Sequence, residues 1–321
     1  MSTPAMGLPM GKALRVAFGE TLAELAATDQ RIVVLDGDTG SSTRTDIFEQ
    51  AHPERFFQMG ITEQNMVGMA AGMATLGYVP IVSTFSCFIV SRAHDSVRVL
   101  VAQPNLNVKL MGGYAGLLAG MTGKTHLMFD DVAIMRAMAN MTVVAPADEV
   151  EARSAIAAVI DTHGPVYVRL TRPPTPVLFG ADHEFRLGEV VTVREGADIT
   201  VFSTGVQTTR AWDAAEALAT EGIHVHLVHV PTIKPLDIRA VIEAATRTGL
   251  VLTTEEHTIV GGLGGAIAEV LAEHAPTRMR RHGLHDGFGE SGPNDALLDK
   301  YGLAPKHVAD AIRGFLEDVR G

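Results

Sequence analysis

The chain has 321 residues, 46% apolar and 20% charged, with 26 basic against 37 acidic side chains, a net charge of −11 and one cysteine, Cys87. That length accommodates two ordinary domains, and the composition is that of a globular chain. The acidic balance argues against a non-specific nucleic-acid binder, the lone cysteine excludes a disulfide framework and points to the cytoplasm, and no apolar run of about 18 residues is present to span a membrane.

The start, MSTPAMGLPMGK, lacks the basic-then-apolar pattern of a signal peptide and reads as a flexible arm over residues 1–10. Leu14, Phe18, Leu22 and Leu25 then recur at helical spacing, and RIVVLD follows as a short buried strand. TEQNMVGMAAGMATLG is a helix, YVPIVS a strand, FIVSRAHDSVRVLVA a helix and NLNVKLMGG a strand running into glycines. GYAGLLAGMTGKTH is a loop, DDVAIMRAM a helix, MTVVAP a strand, ADEVEARSAIAAVI a helix opening on acids, and PVYVRL a strand. The Pro- and Gly-rich TRPPTPVLFGADHEFRLGE has no period and marks an interdomain linker, with the boundary near residue 185. A second alternation follows: strands DITVFST, IHVHLVHV and GLVLTTEE, helices TTRAWDAAEALATEG and PLDIRAVIEAAT, the segment HTIVGGLGGAIAEVLAEH, and two closing helices. The fold class is α/β, with two domains that are each a mostly parallel sheet with helices on both faces. The divisions are an arm at 1–10, a first domain at 11–175, a linker at 176–192 and a second domain at 193–321.

Reactive groups in open parallel sheets gather at the carboxyl ends of the strands. Those ends offer Asp36 and Asp38, Glu63, Phe85 and Phe88, the stretch from Tyr114 to His126, and Arg172. Glu63 follows Thr62, an N-cap candidate, and opens a helix with no further charge. An acid in a first turn is also simple dipole stabilisation. Here, however, Gly68, Ala70, Ala71, Gly72 and Ala74 are too small to shield it, so a flat body has room beside the helix. Phe85 and Phe88 supply either an aromatic wall or plain core, and a carboxyl group between aromatic walls favours its neutral or proton-sharing form. His126, in a glycine-punctuated loop, is either an acid–base group or one surface histidine among thirteen. GGLGG at 261–265 suits close helix packing better than a phosphate cradle, and LDGDTG is a turn that needs no metal. The histidines of HVHLVH do not share one face, and no metal ligand set is expected on this chain.

The stretches RFFQMGITEQNMVGMAAGMATLGYVPIVSTFSCF, GKTH and DDVAIMRAMANMTVVAPAD resemble the pyrimidine-binding domain of transketolases, and DITVFSTGVQTTRAWDAAEAL with VHVPTIKPLD resembles their C-terminal domain. The resemblance covers nearly the whole chain from about residue 11. It implies thiamin diphosphate as cofactor. The domain that holds the diphosphate and Mg2+ carries a GDG motif with a downstream Asn; DGDTG is not that motif, so the metal ligands are expected on a separate partner chain. The resemblance therefore implies the second subunit of a split transketolase, paired with an N-terminal subunit in an α2β2 heterotetramer acting on sugar phosphates.

By the same resemblance, Glu63 matches the glutamate that shares a proton with the cofactor's aminopyrimidine ring, and Phe85 and Phe88 match the residues packing on that ring. Asp38 matches an aspartate near the cofactor at the subunit contact, Ser42 a residue near the substrate phosphate, His126 the histidine beside the reacting carbonyl, and Arg172 the arginine that grips the sugar phosphate. Three positions depart from the pattern. Thr122 replaces an aspartate that contacts a substrate hydroxyl, Leu127 a glutamine, and Tyr114 a substrate-phosphate histidine. These changes leave the cofactor groups in place and alter the sugar pocket, which implies an unusual ketose in place of the common pentose-phosphate pair. The rival readings are the β subunit of a 2-oxo acid dehydrogenase first component, a deoxyxylulose phosphate synthase, and a non-catalytic regulatory subunit. The GKTH loop, VPTIKPLD and Arg172 favour the transketolase reading.

Overall fold

The structure is a computed structural model and describes residues 7–320. The first half forms strands β1 (Met10–Ala13), β2 (Ile32–Asp36), β3 (Phe56–Gln58), β4 (Val79–Phe85), β5 (Lys109–Gly113), β6 (Thr142–Val144), β7 (Val166–Arg169) and β8 (Pro174–Pro176). The second half forms β9 (Val191–Arg194), β10 (Ile199–Ser203), β11 (Val225–His229), β12 (Thr232–Lys234), β13 (Leu250–Thr258) and β14 (Arg278–Leu284). One sheet has the order β12-β6-β7-β5-β4-β2-β3, a second the order β14-β13-β10-β11-β9, and β1 pairs with β8 alone. The larger sheet is parallel except for β12, and the smaller is parallel except for β9.

Strands β2, β4 and β5 are buried along their whole length, which requires cover on both faces of the sheet. In the smaller sheet the strand alternation separates two cores directly. Ile199 and Val201 of β10 pack with the helices Gln207–Ala219 and Pro305–Arg320 on one face, whereas Phe202 packs with the helices Ile238–Thr248 and Leu263–His274 on the other. The two-domain α/β architecture expected from the sequence is the one observed.

Several details differ from the expectation. Of the arm at 1–10, residues 1–6 lie outside the described residues, and Met10 already opens β1. Val191, placed in the linker, already pairs with His229 in the smaller sheet. The segment 88–102 is helical, but Phe88–Arg92 and Val97–Ala102 have the wider π-type turn, with a short α-turn between them. The domains also interlock. β12, from the second half, adds to the first sheet by pairing antiparallel with β6. Its Lys234 Nζ donates to the carbonyls of Arg136 (3.0 Å) and Met138 (2.6 Å), placing a cation on the C-terminal end of the helix Asp131–Ala137.

Candidate active site

The carboxyl ends of β2, β4 and β5, with the turn after β3, surround a cavity of about 370 Å3 lined in part by Asp38, Ser42, Phe85, Phe88, Arg92 and His126. A second hollow of about 490 Å3 adjoins it through Ile61 and Arg92 and is lined by Glu63. Both volumes fall in the range of small-molecule sites.

Glu63 is 4% exposed at the first position of the helix Glu63–Thr75. Thr62 occupies the N-cap position without capping: its hydroxyl donates to the Met59 carbonyl at 2.7 Å. The partner of Glu63 is Arg92, whose Nη1 lies 2.9 Å from Glu63 Oε1 and whose guanidinium sits 4.0 Å over the Phe88 ring. The first-turn carboxylate is thus tied to the aromatic wall through one arginine. Among the described residues nothing lies within 4 Å of a Cβ built on Gly72, and Leu100 is the neighbour of one built on Gly68.

Phe85 and Phe88 stack with centroids 5.5 Å apart, and Phe85 stacks on Tyr114 at 4.1 Å. His126 meets both phenylalanines edge-on, at 5.8 Å from Phe85 and 5.3 Å from Phe88, and its Nδ1 lies 2.9 Å from the Thr125 hydroxyl. Phe85 is buried, Phe88 is partly buried, and both rings line the cavity.

Behind the wall lies a cluster of cations. The guanidiniums of Arg172 and Arg15 lie 5.3 and 5.7 Å from the Tyr114 ring centre. Arg15 Nε donates to the Arg172 carbonyl (2.9 Å) and its Nη1 to the Ser42 carbonyl (2.6 Å). Arg172 Nε is buried with no hydrogen-bond partner among the described residues. Burial, with the neighbouring Arg172 and Arg44 charges, pushes Arg15 below its ordinary range despite the opposing pull of Tyr114. Burial raises the Tyr114 phenol, but hydrogen bonds with Ser42 and Arg172 and the two arginine charges outweigh it and bring the group below its usual value. Two guanidiniums, a phenol and a serine thus lie together behind Phe85.

Other sequence candidates fall in different places. Asp38 is exposed at the cavity rim in the left-handed region (φ 64°), with its amide donating to Gln58 Oε1 at 3.0 Å. Thr122 is directed elsewhere: its hydroxyl donates to the Ala119 carbonyl at 2.6 Å. Leu127 is buried in the core. Asp36 of LDGDTG anchors its own turn, accepting from the Thr39 amide (2.7 Å) and the Thr45 hydroxyl (2.8 Å). The helix start within GGLGG is already filled, since the amides of Leu263 and Gly264 donate to Glu255 at 2.7 and 2.8 Å. His229 and the linker's His183 face the buried Glu151, at 2.9 and 3.4 Å. Arg15 and Arg92 stand outside the residues expected from the sequence. Arg15 left a signal, because a cation in the first turn of a helix opposes the dipole and calls for another reason to be there.

Residues 10–176 match the family model of the transketolase pyrimidine-binding domain, and residues 188–308 that of the transketolase C-terminal domain. The chain belongs to the transketolase family. It is 41% identical over 304 residues to a 6-deoxy-6-sulfo-D-fructose transketolase subunit of Clostridium sp., covering 95% of this chain and 94% of that protein. It is 34% identical over 306 residues to one of the subunits of an apulose-4-phosphate transketolase from Phocaeicola vulgatus, covering 95% and 98%. A solved split-gene transketolase, described as an inactive β4 tetramer, superposes with a TM-score of 0.88 at 41% identity, covering 96% of this chain and 99% of that one. This transketolase-family chain thus corresponds to relatives that are themselves subunits, over almost their whole length.

Proposed function

We propose that this chain is the pyrimidine-side subunit of a two-chain, thiamin diphosphate-dependent transketolase, moving a two-carbon ketol unit from an anionic ketose to an aldose acceptor. The observation that carries the reading is a pair of adjoining hollows at the carboxyl end of the first sheet: buried Glu63 lines one, stacked Phe85 and Phe88 with His126 line the other, and Ser42 at its edge leads to Arg15, whose Nη1 donates to the Ser42 carbonyl. The cofactor's ring fits what is present, since Glu63 supplies a dry carboxylate, Phe85 and Phe88 supply flat apolar faces, and the two adjoining hollows that these residues line leave room. When bound, the cofactor supplies the electron sink for cleaving a ketose carbon–carbon bond. Glu63 holds and shares a proton at its carboxylate. Arg92 must give up part of its grip for that, because a carboxylate held by a guanidinium is a poor proton partner. His126 stands at the mouth as the acid–base group for the sugar's oxygen, and Phe85, Phe88 and Tyr114 exclude water behind it.

Arg172, Arg15, Ser42 and Tyr114 receive the substrate's anionic end. The sulfo and phosphate groups in the relatives' names agree with an anion at that place. With Thr122 turned away and Tyr114 packed against Phe85, the pocket favours a sugar other than the common pentose phosphates. Mg2+ and the diphosphate are assigned to an N-terminal partner subunit, in an α2β2 assembly placed in the cytoplasm. Among the described residues no helix is long and apolar enough to cross a membrane. Steady-state assays of the reconstituted pair test the reading. Ketol transfer that requires thiamin diphosphate and prefers an unusual anionic ketose is expected. Equal efficiency with xylulose 5-phosphate and ribose 5-phosphate counts against the special sugar, and release of carbon dioxide from pyruvate replaces the reaction with that of a 2-oxo acid dehydrogenase.

A further inference from the structure

The loop from Tyr114 to His126 belongs to the first domain, but it is held from the second. Glu256 of β13 is 1% exposed, and its Oε1 accepts from the amides of Leu117 (2.7 Å) and Leu118 (3.3 Å). Its Oε2 takes Arg210 Nη1 at 2.7 Å, and its carbonyl takes Arg169 Nη2 at 2.8 Å. Arg169 Nε donates in turn to Asp131 at 2.8 Å, which ties the anchor to the first sheet. A second clamp comes from Asn294, whose Oδ1 accepts from the Gly120 amide (3.2 Å) and whose Nδ2 donates to the Leu118 carbonyl (3.1 Å). Two glycines make the close approach feasible. A Cβ on Gly116 would lie 2.3 Å from Glu256 Oε1, and one on Gly120 would lie 2.3 Å from Leu297 Cδ1. Neither Glu256 nor Asn294 lines the cavity. Loop amides left without such partners are free to open locally, and a histidine carried on an opening loop spends less time over the reacting carbonyl.

We infer that Glu256 is a positioning residue: through it, and secondarily through Asn294, the second domain orders the loop that carries His126 over Phe85 and Phe88. The consequence for catalysis rests on the proposed transketolase reading, whereas the ordering of the loop does not. Both are read with Glu256→Gln, which keeps the size and loses the charge, and with Asn294→Ala, which alters a partly exposed side chain and spares the core. Hydrogen exchange of amides 116–126 in the full chain is expected to quicken about tenfold or more in Glu256→Gln and less in Asn294→Ala. In the reconstituted enzyme kcat/KM falls about tenfold or more, while the Kd for thiamin diphosphate stays within about twofold. Unchanged exchange at 116–126 in both variants overturns the inference, and so does a cofactor Kd that weakens in step with kcat/KM. The exchange measurement stands whatever reaction the assembled enzyme runs, so its failure is distinguishable from failure of the proposed function.

Discussion

Replacing Arg172 with alanine separates recognition of the anion from everything else the site does. Arg15 spends two of its donors on the backbone carbonyls of Arg172 and Ser42, and both bonds survive the substitution because they do not involve the Arg172 side chain. Arg172 is half-buried beside the Tyr114 ring, and its guanidinium is the proposed anion-gripping group of the cluster. A hydrogen bond to a charged group contributes about 1.5–3 kcal/mol, which is a factor of roughly 10–150 in kcat/KM. The assay compares an anionic ketose with its uncharged counterpart in the reconstituted enzyme. The loss is expected in full for the anion, chiefly as a raised KM, with a change of no more than about threefold for the neutral sugar and an unaltered cofactor Kd. An equal loss on both substrates refutes the assignment, because it would show that Arg172 supports the fold of the pocket and not the charge of the ligand.

Two further outcomes follow from the interior. Burial alone would raise Glu151, but the His229 charge and hydrogen bonds from His183, His229 and the Ala147 amide overcome it and bring the carboxyl to about 2, below its ordinary 4.5. A depressed folded-state value gives stability that is present above about pH 4.5 and lost as pH falls toward 2. The amount is about 3 kcal/mol. Urea unfolding from pH 6 down to 3 is expected to show this acid loss in the native chain and a shallower one in Glu151→Gln; identical slopes would contradict it. Gly116→Ala places a Cβ at φ 81° against Glu256 and is expected to cost about 1–3 kcal/mol, read as a lower urea midpoint, where an unchanged midpoint would show that the clamp yields freely.

These strands were readable because burial on both faces leaves little choice of residue: IVVLD, VPIVSTF and ITVFS are short, mostly apolar runs broken only by small hydroxyl residues or a terminal acid, and they form β2, β4 and β10. β14 was not, since RMRRHGL lies at a sheet edge, where exposed arginines guard against pairing with other chains and hide the strand pattern. β12 was missed for another reason: three residues, TIK, carry no local signal, and their partner is β6, on the far side of the domain boundary. At the site, Glu63, Phe85, Phe88 and His126 were legible as residues at strand and helix ends, and the structure brings them to two adjoining hollows. Arg92 and Arg15 were not, because what they do depends on which ring or carbonyl lies opposite, and that is fixed only by packing. Glu256 lies still further from view: a carboxylate inside TTEEH gives no hint that it reaches across 139 residues to the amide of Leu117.

Proton sharing at Glu63 is the central step of the proposed reaction. Turnover of the reconstituted enzyme carrying Glu63→Gln tests it most directly, because glutamine fills the same space beside Arg92 and cannot share a proton. A loss of about a hundredfold or more in kcat is expected, with the assembly and its melting temperature little changed. Full turnover in that variant would contradict it.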